Sequence, residues 1–156
     1  MNQIIQRLSS VAFYTLPLKA SLPFGNYLFY KFSFLKVLLY LTFPVAIIEN
    51  SLPLGGLLFF LILFLGVVRN PNVPYFVRYN ACQALLLDIA LIIITYLLRI
   101  FPLAEFGVIA FVFTLSIFLF AIFQCMNGVE PEIPFISKSV SCLLYTSPSP
   151  RDQRGS

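Results

Sequence analysis

The chain is 156 residues long, 60% hydrophobic and only 10% charged, with a net charge of +4 and a mean hydropathy of +0.93. A soluble domain carries about 25% charged residues and at this size leaves about 30% of its unfolded-chain surface in water, so the composition points to a bilayer as solvent. Histidine is absent, which excludes Ser-His-Asp and Cys-His catalysis, His-ligated metals and His proton relays, and three cysteines without a C-x-x-C pair give neither a disulfide framework nor a metal site.

The N-terminus opens M-N-Q-I-I-Q-R-L-S-S-V-A. Ile4, Ile5, Leu8, Val11 and Ala12 share one helical face, and Gln3, Gln6, Arg7 and Ser10 take the other. That pattern predicts a short amphipathic helix lying in the membrane interface. A signal peptide fits less well, since neither a continuous apolar stretch nor a small-residue cleavage site follows. Pro17, Pro23 and Gly25 predict a loop.

Four apolar spans follow, at about 27–48, 52–68, 75–98 and 103–126. Spans of about 20 residues match a hydrocarbon core of roughly 30 Å at about 1.5 Å per residue. Lys31 and Lys36 sit in the first turns of span one, where long side chains reach the headgroups, and Pro44 is expected to bend its far end. Glu49, Asn50 and Ser51 make a polar connection, with Pro53 placed to start the next helix. Gly55, Gly56 and Gly66 allow close approach of a neighbouring backbone to span two. The predicted fold is therefore all-α: a polytopic membrane protein with four transmembrane helices and an N-terminal interfacial amphipathic helix, forming one domain over residues 1–140.

Composition changes abruptly at the C-terminal end. Cys142 to Asp152 resemble the in-frame translation of a transposon-based sequencing adapter, so residues 141–156 are read as a non-native, disordered tail. Leaving out its two arginines and one aspartate leaves eight basic against five acidic residues, net +3. In a four-span arrangement Arg7, Lys19, Lys31, Lys36, Arg69, Arg78 and Lys138 share one side and Arg99 marks the other. This asymmetry predicts both termini, and the loop between spans two and three, on the side where the protein was made.

Span three carries the polar residues. Asn80, Ala84, Asp88, Leu91 and Thr95 fall within about 80° of arc, with Gln83 at its border. An aspartate at the bilayer centre costs roughly 2.5–3.5 kcal/mol on insertion scales, so Asp88 must face protein or water, or hold a proton. This face either lines a polar cavity or pairs with a neighbouring helix and only fixes packing. Gly107, Ala110, Thr114, Ala121 and Cys125 make a small-residue stripe on span four, read as a packing seam, with Cys82 and Cys125 as small hydrophobes. The loop V-R-N-P-N-V-P-Y-F-V-R-Y-N is basic. Arg69 and Arg78 either anchor topology or bind lipid phosphates or an acidic partner, and nucleic-acid binding has no support.

Residues 68–89 resemble the signature region of the Tic-twenty (Ycf-sixty) family through Arg69, Asn70, Pro71, Phe76, Arg78, Asn80, Gln83, Ala84, Leu86, Leu87 and Asp88. A second match lies after span four, in G-V-E-P-E-I-P-F-I-S-K-S-V, through Gly128, Pro131, Glu132, Ile133, Pro134 and Ser137. Tyr79 and Cys82 depart from the usual pattern. The resemblance implies a membrane subunit of the protein import translocon at the chloroplast inner envelope, helping to form the preprotein route beside other translocon subunits. It implies no cofactor and no enzymatic activity. The family also occurs in photosynthetic bacteria, where the plasma membrane would be the location. No Arg/Ser-rich transit segment precedes the first helix, which fits a plastid-encoded or bacterial copy. Two alternatives stand beside this one: a small ion or solute transporter or channel using Asp88, and a membrane scaffold without a conduit.

Overall fold

A computed structural model describes residues 2–131, 133 and 136–144; Glu132, Pro134 and the tail from residue 145 lie outside the described residues. Every regular element among the described residues is helical. The chain forms α1 (Gln3–Phe13), α2 (Thr15–Ser21), a 3-10 turn (Leu22–Gly25), α3 (Asn26–Lys31), a second 3-10 turn (Ser33–Lys36) and α4 (Val37–Ser51). Then come α5 (Gly56–Leu63), which runs into a π turn (Phe64–Val68), α6 (Tyr75–Ile100), α7 (Ala104–Met126) and α8 (Ile136–Leu144). Residues 141–144, expected to be disordered, continue α8.

Three helical stretches are long and apolar enough to cross a membrane: Ser33–Ser51, Tyr75–Ile100 and Ala104–Met126. The last two follow the sequence expectation closely, because Pro74 and Pro102 bound unbroken apolar runs. Span two does not reach the expected length. Gly56–Val68 is 13 residues, about 20 Å of helix against roughly 30 Å of hydrocarbon. It lies along the first half of α6: Leu63 shares a cavity wall with Leu85, and the Val68 carbonyl accepts a hydrogen bond from Arg78 Nε at 2.9 Å. Span one also begins later than expected, since an extended Phe32 (φ −122°, ψ 93°) interrupts the helix after Lys31.

The largest correction concerns the N-terminus. α1 exists, but it does not lie apart in the interface. It runs lengthwise between α6 and α7 and continues through α2. Arg7 reaches Met126 at one end, Tyr14 meets Asn80 and Gln83 further along, and Phe24 packs on Gly107 at the other end. The polar face turns inward and Ser10 is fully buried, while Ile4, Ile5 and Leu8 stay 63%, 51% and 56% exposed. A helix with apolar surroundings gains by this inversion, because the protein interior holds the only hydrogen-bond partners. The predicted loop at Pro17–Gly25 is also helical. Pro17 falls in the first turn of α2 and Pro23 in the first turn of the 3-10 segment, where a missing N–H costs no intrahelical bond. The carbonyl of Ala12, at the junction of α1 and α2, accepts from Thr15 Oγ1 at 2.6 Å.

This route redistributes the charges. Arg7, Arg69, Arg78 and Lys138 lie at one end, whereas Lys31 and Lys36 follow Phe24 and Phe29 toward the Arg99 end and Lys19 sits between. Four against three replaces the expected seven against one, so charge no longer sets the orientation.

Gly25 marks the tightest contact of the N-terminal segment. A Cβ there would stand 2.9 Å from three atoms of the Phe111 ring, itself fully buried and edge-on to Phe29. Gly25→Ala should lower stability by about 1–3 kcal/mol through overpacking. Gly66→Ala, where nothing lies within 4 Å, should change it by less than about 0.5 kcal/mol. Thermal unfolding of both variants in mild detergent checks this, and equal midpoints would refute the wedged N-terminal segment.

Candidate functional site

The residues of the predicted polar stripe do not act together. They divide into a buried network, a charged cavity and a self-satisfied threonine.

The network joins three parts of the chain. Tyr14 Oη donates to Asn80 Oδ1 at 2.9 Å, and Gln83 Nε2 donates to Tyr14 Oη at 2.8 Å and to the Pro131 carbonyl at 2.9 Å. Asn80 Nδ2 donates to the Phe76 carbonyl at 2.8 Å, and the Cys125 thiol makes a long contact to Asn80 Oδ1 at 3.4 Å. Tyr14, Asn80, Gln83 and Cys125 are all buried to within 1% exposure. The α6 backbone projects Asn80 and Gln83 from adjacent turns of one face. Each amide and hydroxyl lacks water there, so pairing them costs far less than leaving any one alone.

Asp88 belongs elsewhere. It stands half-buried at the midpoint of α6, the fourteenth of 26 residues. It lines a cavity of about 90 Å³ with Lys19, Glu49, Gly56, Leu85 and Ile92. Lys19 and Glu49 form an ion pair across this cavity. Asp88 has no hydrogen-bond or ion-pair partner among the described residues. Thr95 Oγ1 donates to the Leu91 carbonyl one turn earlier at 2.8 Å and takes part in neither group.

The basic loop closes helix ends. Arg78 Nε holds the last carbonyl of the π turn, Asn70 Nδ2 donates to the Gly66 carbonyl at 3.2 Å, and Asn70 Oδ1 accepts from the Asn72 backbone at 3.0 Å. Arg69 is exposed. At the same end Arg7 Nη1 donates to the Met126 carbonyl at 3.1 Å, closing α7, and lies against Gly128, whose φ of 76° suits glycine. The small-residue stripe of α7 packs on the N-terminal segment rather than on α6.

Sequence reasoning missed Tyr14, Arg7, Lys19, Glu49 and Pro131. For two of them a signal was present: Arg7, Ser10 and Tyr14 recur at i, i+3 and i+7 and so share one face with Gln3. The other contacts depend on long-range packing that no local pattern encodes.

Long apolar helices around a buried amide–phenol network define an α-helical membrane protein held together by internal hydrogen bonds. The chain belongs to the family described as "Chloroplast import apparatus Tic20-like", whose pattern matches residues 3–140. It is similar to "Protein TIC 20-II, chloroplastic" of Arabidopsis thaliana, 34% identical over 143 residues that cover 85% of this chain and 69% of the relative. It is also similar to "Tic20 family protein" of Synechocystis (32% identical, 84% and 88% covered) and to "Protein TIC 20-v, chloroplastic" of Arabidopsis thaliana (30% identical, 85% and 68% covered).

The network sets a stability prediction. Tyr14→Phe and Gln83→Met should each cost about 1–3 kcal/mol, because each leaves a buried polar group unmatched. The double variant should show a coupling of about 0.5–2 kcal/mol. Unfolding of the four proteins of this cycle in detergent measures it; strictly additive costs would mean that Tyr14 and Gln83 do not interact.

Proposed function

We propose that the protein is a non-enzymatic, multi-pass membrane subunit of the protein import translocon at the chloroplast inner envelope, where it helps to form the route of preproteins. The observation carrying this reading is the family match over residues 3–140, reached through two signature segments that meet in one hydrogen bond, Gln83 to Pro131. Those segments build a rigid frame: Asn80 and Gln83 lock α6 to the N-terminal helix, and Pro131 ties in the stretch after α7. A frame of this kind leaves much of α6 and α7 uncovered. Ile93 and Tyr96 on α6, and Phe113 and Phe120 on α7, project outward and offer apolar surface to lipid, to other translocon subunits or to a passing chain. So small a bundle has little internal room for a polypeptide, so a conduit would form between this chain and further subunits.

A photo-crosslinking residue at Ile93 or Tyr96, in import-competent plastids holding an arrested preprotein, tests the reading. Adducts to the preprotein and to other translocon chains are the expected outcome. Adducts to lipid alone from both positions would remove the conduit role.

A further inference from the structure

Arg78 and Arg99 bracket α6. Twenty-one residues separate them, about 31 Å of helix, close to the roughly 30 Å thickness of a hydrocarbon core. Asp88 lies ten residues from one and eleven from the other, at the bilayer midplane. Glu49 and Gly56 line the same cavity as Asp88, so the α4–α5 connection also lies near half depth and not at a membrane surface. This connection is polar and irregular. Asn50 and Ser51 are exposed, Leu54 is 80% exposed with φ at 63°, and Gly55 follows at φ 54°. Irregular backbone at that depth persists only where protein buries it or water reaches it.

The cavity favours water. Its volume of about 90 Å³ holds about three molecules at roughly 30 Å³ each. Its polar lining carries Lys19 and Glu49, already paired with each other, and the Asp88 carboxylate, which has no partner. One positive and two negative groups leave the site net negative. Access is one-sided. α5 and the π turn cover α6 from Leu85 down to Arg78, while Ile89, Ile92, Ile93 and Tyr96 stay uncovered toward Arg99. The Glu49 side chain lies against Gly56, where a Cβ would displace it, so glycine at 56 keeps the carboxylate in this position.

We propose that the Lys19–Glu49–Asp88 cavity and the α4–α5 turn form a hydrated, cation-attracting vestibule, entered from the Arg99 side and reaching half-way through the membrane. This inference rests on the membrane reading of the chain and not on its role in import.

Membrane-impermeant thiol reagents test it, one carrying trimethylammonium and one carrying sulfonate. They are applied to each face of sealed vesicles holding the full chain with Cys142→Ser; Cys82 and Cys125 remain as buried residues. Ser51→Cys is the probe, with Asn50→Cys as a second position in the same turn. Glu105→Cys marks the Arg99 face and Asn72→Cys the opposite face. Both probes should react from the face that labels Glu105→Cys, the cationic reagent about three- to tenfold faster than the anionic one, and Asp88→Asn should remove the difference. Three results would overturn the vestibule: reaction only after detergent, which means lipid or a partner seals the turn; reaction from the Asn72 face; or equal rates for the two reagents.

Discussion

A hydrogen-bonding group placed in hydrocarbon has no water to return to, and that constraint organises this molecule. In a soluble protein the amphipathic helix Gln3–Phe13 would bury Ile4, Ile5 and Leu8 and hydrate Gln6, Arg7 and Ser10. Here the apolar residues remain outside and the polar face turns toward α6 and α7. Tyr14 then reaches Asn80 and Gln83, and Gln83 passes the connection on to the Pro131 carbonyl. The hydrophobic effect places the helices in lipid but cannot choose between arrangements of apolar helices within it, because lipid tails are as apolar as leucine. The amide–phenol network and the close contacts at Gly25 and Gly107 make that choice.

What was legible in the sequence follows from the range of the forces involved. α6 and α7 could be read closely because a continuous apolar run between prolines is a local signal, and Asn80 and Gln83 stood out because amides are rare in such runs. Asp88 fell on the same predicted arc, yet it faces Lys19 and Glu49 rather than the network. Asn80 and Asp88 are eight residues apart, more than two turns, so a different neighbour meets each: Tyr14 at the level of the first, the α4–α5 turn at the level of the second. A helical wheel projects both onto one circle and loses that depth. The N-terminal helix illustrates the same loss. Periodicity identified its two faces correctly, but which one points to protein depends on whether the helix lies on the membrane or within it.

Charge counting failed for a related reason. The positive-inside rule weighs lysines and arginines by the side on which they lie, and that requires knowing how often the chain crosses before each of them. Reading residues 17–25 as a loop on the starting side kept Lys19, Lys31 and Lys36 there. Once Pro17 and Pro23 are accommodated in first turns, the segment keeps its course along α6 and carries Lys31 and Lys36 toward Arg99. Lys19 stops half-way, which is tolerable only because Glu49 is there to pair with it. Two prolines read as breakers therefore decide three charges.

The segments that identify the family are frame rather than reactive centre. Arg78 and Asn70 hold backbone carbonyls at the end of the π turn, Phe76 supplies the carbonyl for Asn80, Gly128 gives the left-handed residue beside Arg7, and Ile133 and Val140 are buried in the two apolar cores. Nearly every described motif residue is thus occupied in closing a helix end, filling a core or completing the network. Asp88 differs, since its carboxylate is committed to none of these tasks. A protein that selected only for packing would place a leucine there, because an unpaired carboxylate at half depth costs several kcal/mol that a leucine would not. The cost is offset where water meets the carboxylate, and the polar α4–α5 turn, ending beside it, needs water for its own reasons. The half-length α5 and the midplane aspartate are thereby two consequences of one arrangement: a helix that stops short leaves the space into which a charge can be solvated.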